Sequence, residues 1–132
     1  MLSTQKNQLE TIQRNGIAGD EIPGGITLQF SLSIDEGSGT VSGYAVQSQA
    51  VQDGRIPIVG LHGTYRLLVI GPDETRLLSL EGTAEVPFPG EAIGFVLQRF
   101  TAHFALGADW NGTGGWTIGR TSHDNVPVRT WP

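Results

Sequence analysis

Between Val59 and Val86 the chain carries two runs of alternating side chains, broken only by Gly71-Pro72-Asp73-Glu74. Alternation of this kind is that of paired strands with one buried face, because successive side chains of an extended chain point to opposite sides. Pro and Asp at the break supply turn chemistry. A four-residue loop at 71–74 sets Ile70 opposite Thr75. In that register Leu67 faces Leu78, Tyr65 faces Leu80, Leu61 faces Ala84 and Val59 faces Val86, all inward. Gly60, His62, Thr64, Arg66, Ser79, Glu81, Thr83 and Glu85 take the other side. A slip by one residue would put the leucines in water, so the facing is strongly specified. The same register sets Gly63 against Gly82 on the inward side. Facing glycines mark a sharp bend, or a hole in the side-chain layer that would floor a ligand pocket.

The flanking segments read as further strands. Ile26, Leu28, Phe30, Leu32 and Ile34 alternate without exception with Thr27, Gln29, Ser31 and Ser33. With a loop at 36–39, the return strand from Thr40 to Ala50 sets Ile34 against Val41, Leu32 against Gly43, Phe30 against Ala45 and Leu28 against Gln47. Large residues then oppose small ones. Tyr44 and Val46 fall on the opposite side, an outward pair that predicts coverage by another segment or a partner. Residues 51–55 form a turn, and Ile56-Pro57 opens the next strand. Pro87 and Pro89 predict a crossing loop around Phe88. Phe95 to Trp110 resumes as a strand with a half-apolar second face. Asn111-Gly112 predicts a type I′ turn, Gly114 to Gly119 another strand, and Arg120 to Pro132 an edge strand or surface tail. Residues 1–25 are expected to be an N-terminal arm or loop, with a short helix capped by Thr4 as one option. Residues 26–132 are expected to be a single β-domain. No segment suits a βαβ crossover helix. The expected architecture is an all-β antiparallel meander of six to eight strands, closed as a small barrel in preference to a sandwich.

Composition removes several functions. At 132 residues the chain suits one domain with a core that needs no staples. It has no Cys, hence no disulfide, thiolate zinc site or thiol nucleophile. The formal charge is −5 and the basic residues are scattered, which argues against nucleic acid or an anionic membrane as partner. No run has the length of a membrane-spanning helix, and Met1 to Gln8 lacks an apolar signal region. A cytoplasmic location is expected on these grounds.

Gly39-Thr40-Val41-Ser42-Gly43-Tyr44, followed by Leu61-His62-Gly63-Thr64-Tyr65, resembles the Gly-x-hydrophobic-small-Gly … Gly-x-Tyr rhythm of avidin's middle strands. The resemblance is to the calycin group of avidin-like and lipocalin-like barrels, covers a minor part of the chain, and implies an up-and-down β-barrel. The opening strand lacks the Gly-Thr-Trp start of those groups. Avidin's ligand-facing tryptophans and hydroxyls have no positions here, so no biotin or lipid site is carried over.

Candidate functional residues are few. Gln47 and Gln98 fall on inward, otherwise apolar faces. A buried amide without partners costs on the order of 1–3 kcal/mol, so each should be hydrogen-bonded to backbone or water, or serve with Tyr65 as a polar handle in an apolar pocket. Trp110 and Trp116 flank a hairpin tip, where they would stack on a sugar ring or partner, or close a barrel end. The expected ligand-binding set is Gln47, Gly63, Tyr65, Gly82, Gln98, Trp110 and Trp116. Ser122-His123-Asp124 holds the three triad residue types, but consecutive residues point apart and there is no Gly-x-Ser-x-Gly elbow. His62 and His103 lie on outward faces without metal-ligand spacing. The carboxylate pairs Asp35-Glu36 and Asp73-Glu74 sit in turns without a calcium-loop pattern. No catalytic residue, metal site or cofactor is assigned. The leading expectation is a small soluble barrel that binds a small apolar ligand or a protein partner, as a homo-oligomer. A barrel enzyme of isomerase or cyclase type with an internal pocket, and a structural accessory subunit, are the alternatives.

Overall fold

In the computed structural model, which describes residues 11–49, 54–88 and 93–132, the alternating segments form eight strands. They are β1 (Thr11–Ala18), β2 (Ile26–Asp35), β3 (Thr40–Gln49), β4 (Ile56–Ile70), β5 (Asp73–Pro87), β6 (Phe95–Leu106), β7 (Gly112–Ile118) and β8 (Thr121–Trp131). Each strand pairs antiparallel with the next, and β1 pairs with β8, so the meander closes into a barrel. That is the all-β barrel expected, and it is consistent with a calycin-like barrel. None of the described residues is helical, and no helix among them is long and apolar enough to cross a membrane.

The β2–β3 hairpin has the expected register, with Ile34 opposite Val41, Leu32 opposite Gly43, Phe30 opposite Ala45 and Leu28 opposite Gln47. The β4–β5 hairpin does not. Its loop is two residues, not four: Ile70 pairs with Asp73. Gly71 takes φ 59°, and Pro72 is held near −65° by its ring, the sign pattern of a type II′ turn. Tyr65 therefore faces Leu78, and Gly63 faces Leu80. Further down, Gly60 sits at φ 65° and the pairing jumps between Val59 and His62, a glycine bulge. A shift of two residues preserves which side each side chain takes, so Leu61, Tyr65, Leu78, Leu80 and Ala84 are buried as expected. The bulge does change parity. Val59 turns outward and Ile58 takes its place in the core.

Four other expectations are corrected. Residues 11–18 are not part of an arm but form β1, the strand that closes the barrel; the helix capped by Thr4 lies outside the described residues. Arg120 onward is neither edge nor tail, because β8 pairs on both sides. Pro87 does not stop the pairing: β5 runs to Pro87, which pairs with Phe95, and the Phe88 N–H donates to the Gly94 carbonyl at 3.1 Å, while Pro89 lies outside the described residues. Asn111-Gly112 is not the hairpin turn. β6 ends at Leu106, residues 107–111 form the loop, and the positive φ falls on Trp110 at 66°.

The barrel's inside is filled. Trp116, Phe100, Phe104, Leu28, Leu32, Ile34, Ile58, Leu106 and Val128 are almost fully buried, and the Phe30 and Phe104 rings stack at 5.0 Å between centroids. Small residues opposite large ones leave room for these rings, as at Ala45 beside Phe30 and Ala102 beside Trp116. The strands β4 and β5 outrun their neighbours. The last β3 pair is Thr40 with Thr64, and the first β6 pair is Arg76 with Leu106. Residues 68–70 and 73–75 thus pair only with each other, as a two-stranded ribbon above the rim, with Leu67 at its base opposite Arg76.

Candidate functional site

The structure splits the seven predicted residues between the two mouths of the barrel and its wall. At the mouth formed by the β2–β3, β4–β5 and β6–β7 loops, Trp110 lies across the end. Its N–H donates to the Gly107 carbonyl at 2.9 Å, the Gly107 N–H donates to the Asn111 carbonyl at 2.9 Å, and Thr130 Oγ1 donates to the Trp110 carbonyl at 2.7 Å. These bonds fix a bulky residue in the left-handed region, which disfavours side chains that carry a Cβ. The ring is held from its side as well. Tyr65 stacks on it with planes 5° apart and centroids at 5.8 Å, and the guanidinium carbons of Arg14 and Arg76 lie 4.7 and 5.0 Å from its centroid. Cations over an indole face are drawn to its electron-rich centre. Arg76 also donates to the Gly107 carbonyl and to Glu74 Oε1, each at 3.1 Å. Burial pushes the Tyr65 phenol above its usual value, and nearby Arg76 opposes that rise.

At the opposite mouth, Trp116 Nε1 donates to Gln47 Oε1 at 2.8 Å, from β7 to β3 across the interior. The half-buried amide thus has a hydrogen-bond partner inside the barrel mouth. His123 packs on the Trp116 ring at 4.7 Å between centroids. Burial pulls its pKa below the ordinary imidazole value, partly offset by Asp124. Gln98 closes over Gly119, where φ is 61° and a Cβ would collide with the Gln98 Oε1.

In the wall, Gly63 and Gly82 do not face one another. Gly63 is opposite Leu80, and Gly82 is opposite Phe100 on β6. A Cβ on Gly63 would run into the Ser79 carbonyl and stand 2.9 Å from Leu80 Cα. This glycine serves close approach of two strand backbones, not a hole in the side-chain layer. The sequence reading missed Arg14 and Arg76. Arg76 was findable, because it shares the inward parity of Leu78 and Leu80. Arg14 was not, since it lies in the segment read as an arm.

The described depressions lie on the outside, and among the seven residues only Gly63 lines one of them. The largest, of about 800 Å³, crosses β4 to β8 between Arg66 and Asp124, with Gly114 in its floor. Thr64, Ser79, His103 and Gly115 follow one another across it in register. Asp124 Oδ1 lies 3.0 Å from where a Cβ on Gly115 would stand. Ser79, His103 and Asp124 thus share a groove, but no hydrogen bond among the described residues joins them into a relay. The groove offers hydrogen-bonding side chains to a bound molecule. His62 belongs elsewhere: β5 separates its strand from that of His103, and its Nε2 lies 3.6 Å from Glu81.

Fold and sites together define a closed eight-stranded antiparallel barrel with a filled interior and its accessible features outside. A family model described as "Domain of unknown function (DUF1842)" matches residues 12–123, from the first strand into the eighth, and the chain belongs to that family. No curated protein matches it.

Proposed function

We propose that this barrel is a non-enzymatic interaction protein whose contacts are made by its outer surface, and that it self-associates through the ribbon at the β4–β5 tip. The observation that carries this reading is the contrast between the two sides of the wall. The interior is occupied by aromatic and branched side chains. Outside, Leu67, Leu68, Val69 and Ile70 are four successive exposed apolar residues, Ile70 at 66 %, with Leu77 beside them. A two-stranded ribbon is marginal alone, and burying such a patch against a partner removes apolar area from water. Both edges of the ribbon also present unpaired backbone groups, which a second ribbon can satisfy. The filled interior argues against an enzyme with an internal pocket.

The test is the mass of the purified chain by light scattering and native mass spectrometry, beside a Leu68→Lys/Ile70→Lys variant. The reading expects an oligomer for the parent and a folded monomer for the variant. A parent that stays monomeric at high concentration, or a variant that assembles as the parent does, overturns the role of the ribbon.

A further inference from the structure

On the side of the barrel away from the ribbon, four outward residues form one row across four strands. Trp131 on β8 pairs with Asn15 on β1, Asn15 with Ser31 on β2, and Ser31 with Tyr44 on β3. The two ends of the row are aromatic and open: Tyr44 is 65 % exposed and Trp131 45 %. Tyr44 sits where the β3–β4 pairing shifts between Gly43 and Ala45, so the bulge lifts it clear of the ladder on that side. The middle of the row is small and polar. Ser31 Oγ donates to the Asn15 Oδ1 at 2.7 Å. This leaves the two amide hydrogens of Asn15 pointing away from that bond, and Ser31 Oγ still able to accept. Together these residues line a groove of about 290 Å³.

The geometry points to a neutral oligosaccharide-binding site in this groove. Three features select that chemistry. No charged residue lines the groove, in a chain whose formal charge is −5, so nothing there recognises an ionic ligand. The aromatic platforms stand three strand spacings apart, roughly 14 Å along the sheet, which suits an elongated ligand with a flat apolar face at each end. Between them lie a free amide donor and a hydroxyl, complementary to the hydroxyl-rich edge of a sugar. Apolar walls with a few convergent polar groups are the usual make-up of a small-molecule site. Sugar rings meet both demands at once, with C–H faces for Tyr44 and Trp131 and hydroxyls for Asn15 and Ser31. The site shares with the proposed function only the idea of an outward-binding barrel, and it uses none of the ribbon.

Trp131 also provides the readout. The chain has three tryptophans, and Trp110 and Trp116 are buried. Quenching of tryptophan emission by acrylamide therefore reports mainly on Trp131. The full chain is titrated calorimetrically with cellohexaose, chitohexaose, maltohexaose and mannohexaose, with decaproline as the peptide control. The expected result is that one or more of the sugars binds and shields Trp131 from acrylamide. Tyr44→Ala and Trp131→Ala should each weaken that binding roughly tenfold or more, as loss of a stacked platform does. Both substitutions are at open positions, and Asn15→Asp provides a third that keeps size and adds the charge that the groove excludes. It should also weaken binding. The Leu68→Lys/Ile70→Lys variant should bind the sugars as the parent does, whatever its oligomeric state. Absence of binding by all four sugars, binding that survives both aromatic substitutions, or shielding by decaproline alone overturns the assignment.

Discussion

Gly63→Ala separates the two meanings of an inward strand glycine. If Gly63 floored a pocket, a methyl would fill empty space and stability would hardly change. The structure places the added Cβ against the Ser79 carbonyl and 2.9 Å from Leu80 Cα, both backbone of the paired strand. Backbone in the middle of a closed ladder cannot rotate away as a flexible side chain can. Overpacking typically costs about 1–3 kcal/mol, and contact with backbone puts this site at about 3 kcal/mol. For a domain of this size that corresponds to a fall in Tm of roughly 10 °C. Gly54→Ala is the control: a Cβ there meets nothing within 4 Å, and φ is not positive. It should be neutral or stabilising by about 0.4–1 kcal/mol, through reduced freedom of the unfolded chain. Urea unfolding followed by circular dichroism measures both. A loss under 1 kcal/mol for Gly63→Ala, with the m-value unchanged, would refute the claim of backbone-to-backbone approach.

The remaining predictions concern the two mouths and one titration. Trp116→Phe leaves the Gln47 carbonyl oxygen without its donor and should cost about 1–3 kcal/mol, whereas adding Gln47→Leu should recover much of that loss; a double-mutant cycle without coupling contradicts the bond. Trp110→Ala should destabilise by about 3–5 kcal/mol, but Trp110→Gly by roughly 1 kcal/mol less, because glycine accepts the left-handed conformation that Trp110 holds at φ 66°. Equal losses for the two would show that the loop relaxes once the ring is gone. His123 has its folded pKa pulled below the ordinary 6.5 by burial. The unfolded chain then binds the proton more readily, so stability should fall as pH drops from 6.5 through the lower folded value and level off beyond it. In His123→Gln that part of the pH dependence should be absent.

How much of this was legible depended on where the chain spends its large apolar residues. In β2 every second residue is large and apolar, which fixed strand, face and register at once. In β1 the inward positions are Ile12, Arg14, Gly16 and Ala18, and only the first shows as a core residue in the sequence. Gly16 is small for a reason that lies elsewhere in the chain: a Cβ there stands 2.7 Å from the Arg129 carbonyl and would collide with the Phe30 ring. Long-range packing of that kind leaves no local pattern. The β4–β5 register failed by two residues because Gly71-Pro72 forms the tighter of two turns that its residues allow. The aromatic pairs were half legible. Trp110 and Trp116 stood out as a cluster, but Tyr65 meets Trp110 and Gln47 meets Trp116 only once the barrel has closed.

The exposed apolar residues of the ribbon follow from that closure and are not required by it. A barrel of this kind needs strands only long enough to cover one filled interior. β4 and β5, at 15 residues each, exceed β7 at 7 and β3 at 10. The surplus sits entirely on one hairpin, above a mouth already closed by Trp110, and carries Leu67 to Ile70 into solvent. Those residues add nothing to the core: Leu78, Leu80, Leu61 and Tyr65 already complete it beneath them. Replacing Leu68–Thr75 with a two-residue turn, which keeps the Leu67–Arg76 pair and the register beneath it, should therefore leave thermal stability within about 1 kcal/mol of the parent, while abolishing any self-association. A large loss of stability in a chain that remains monomeric would mean that the ribbon folds back to brace the rim, and would transfer its apolar surface from function to fold.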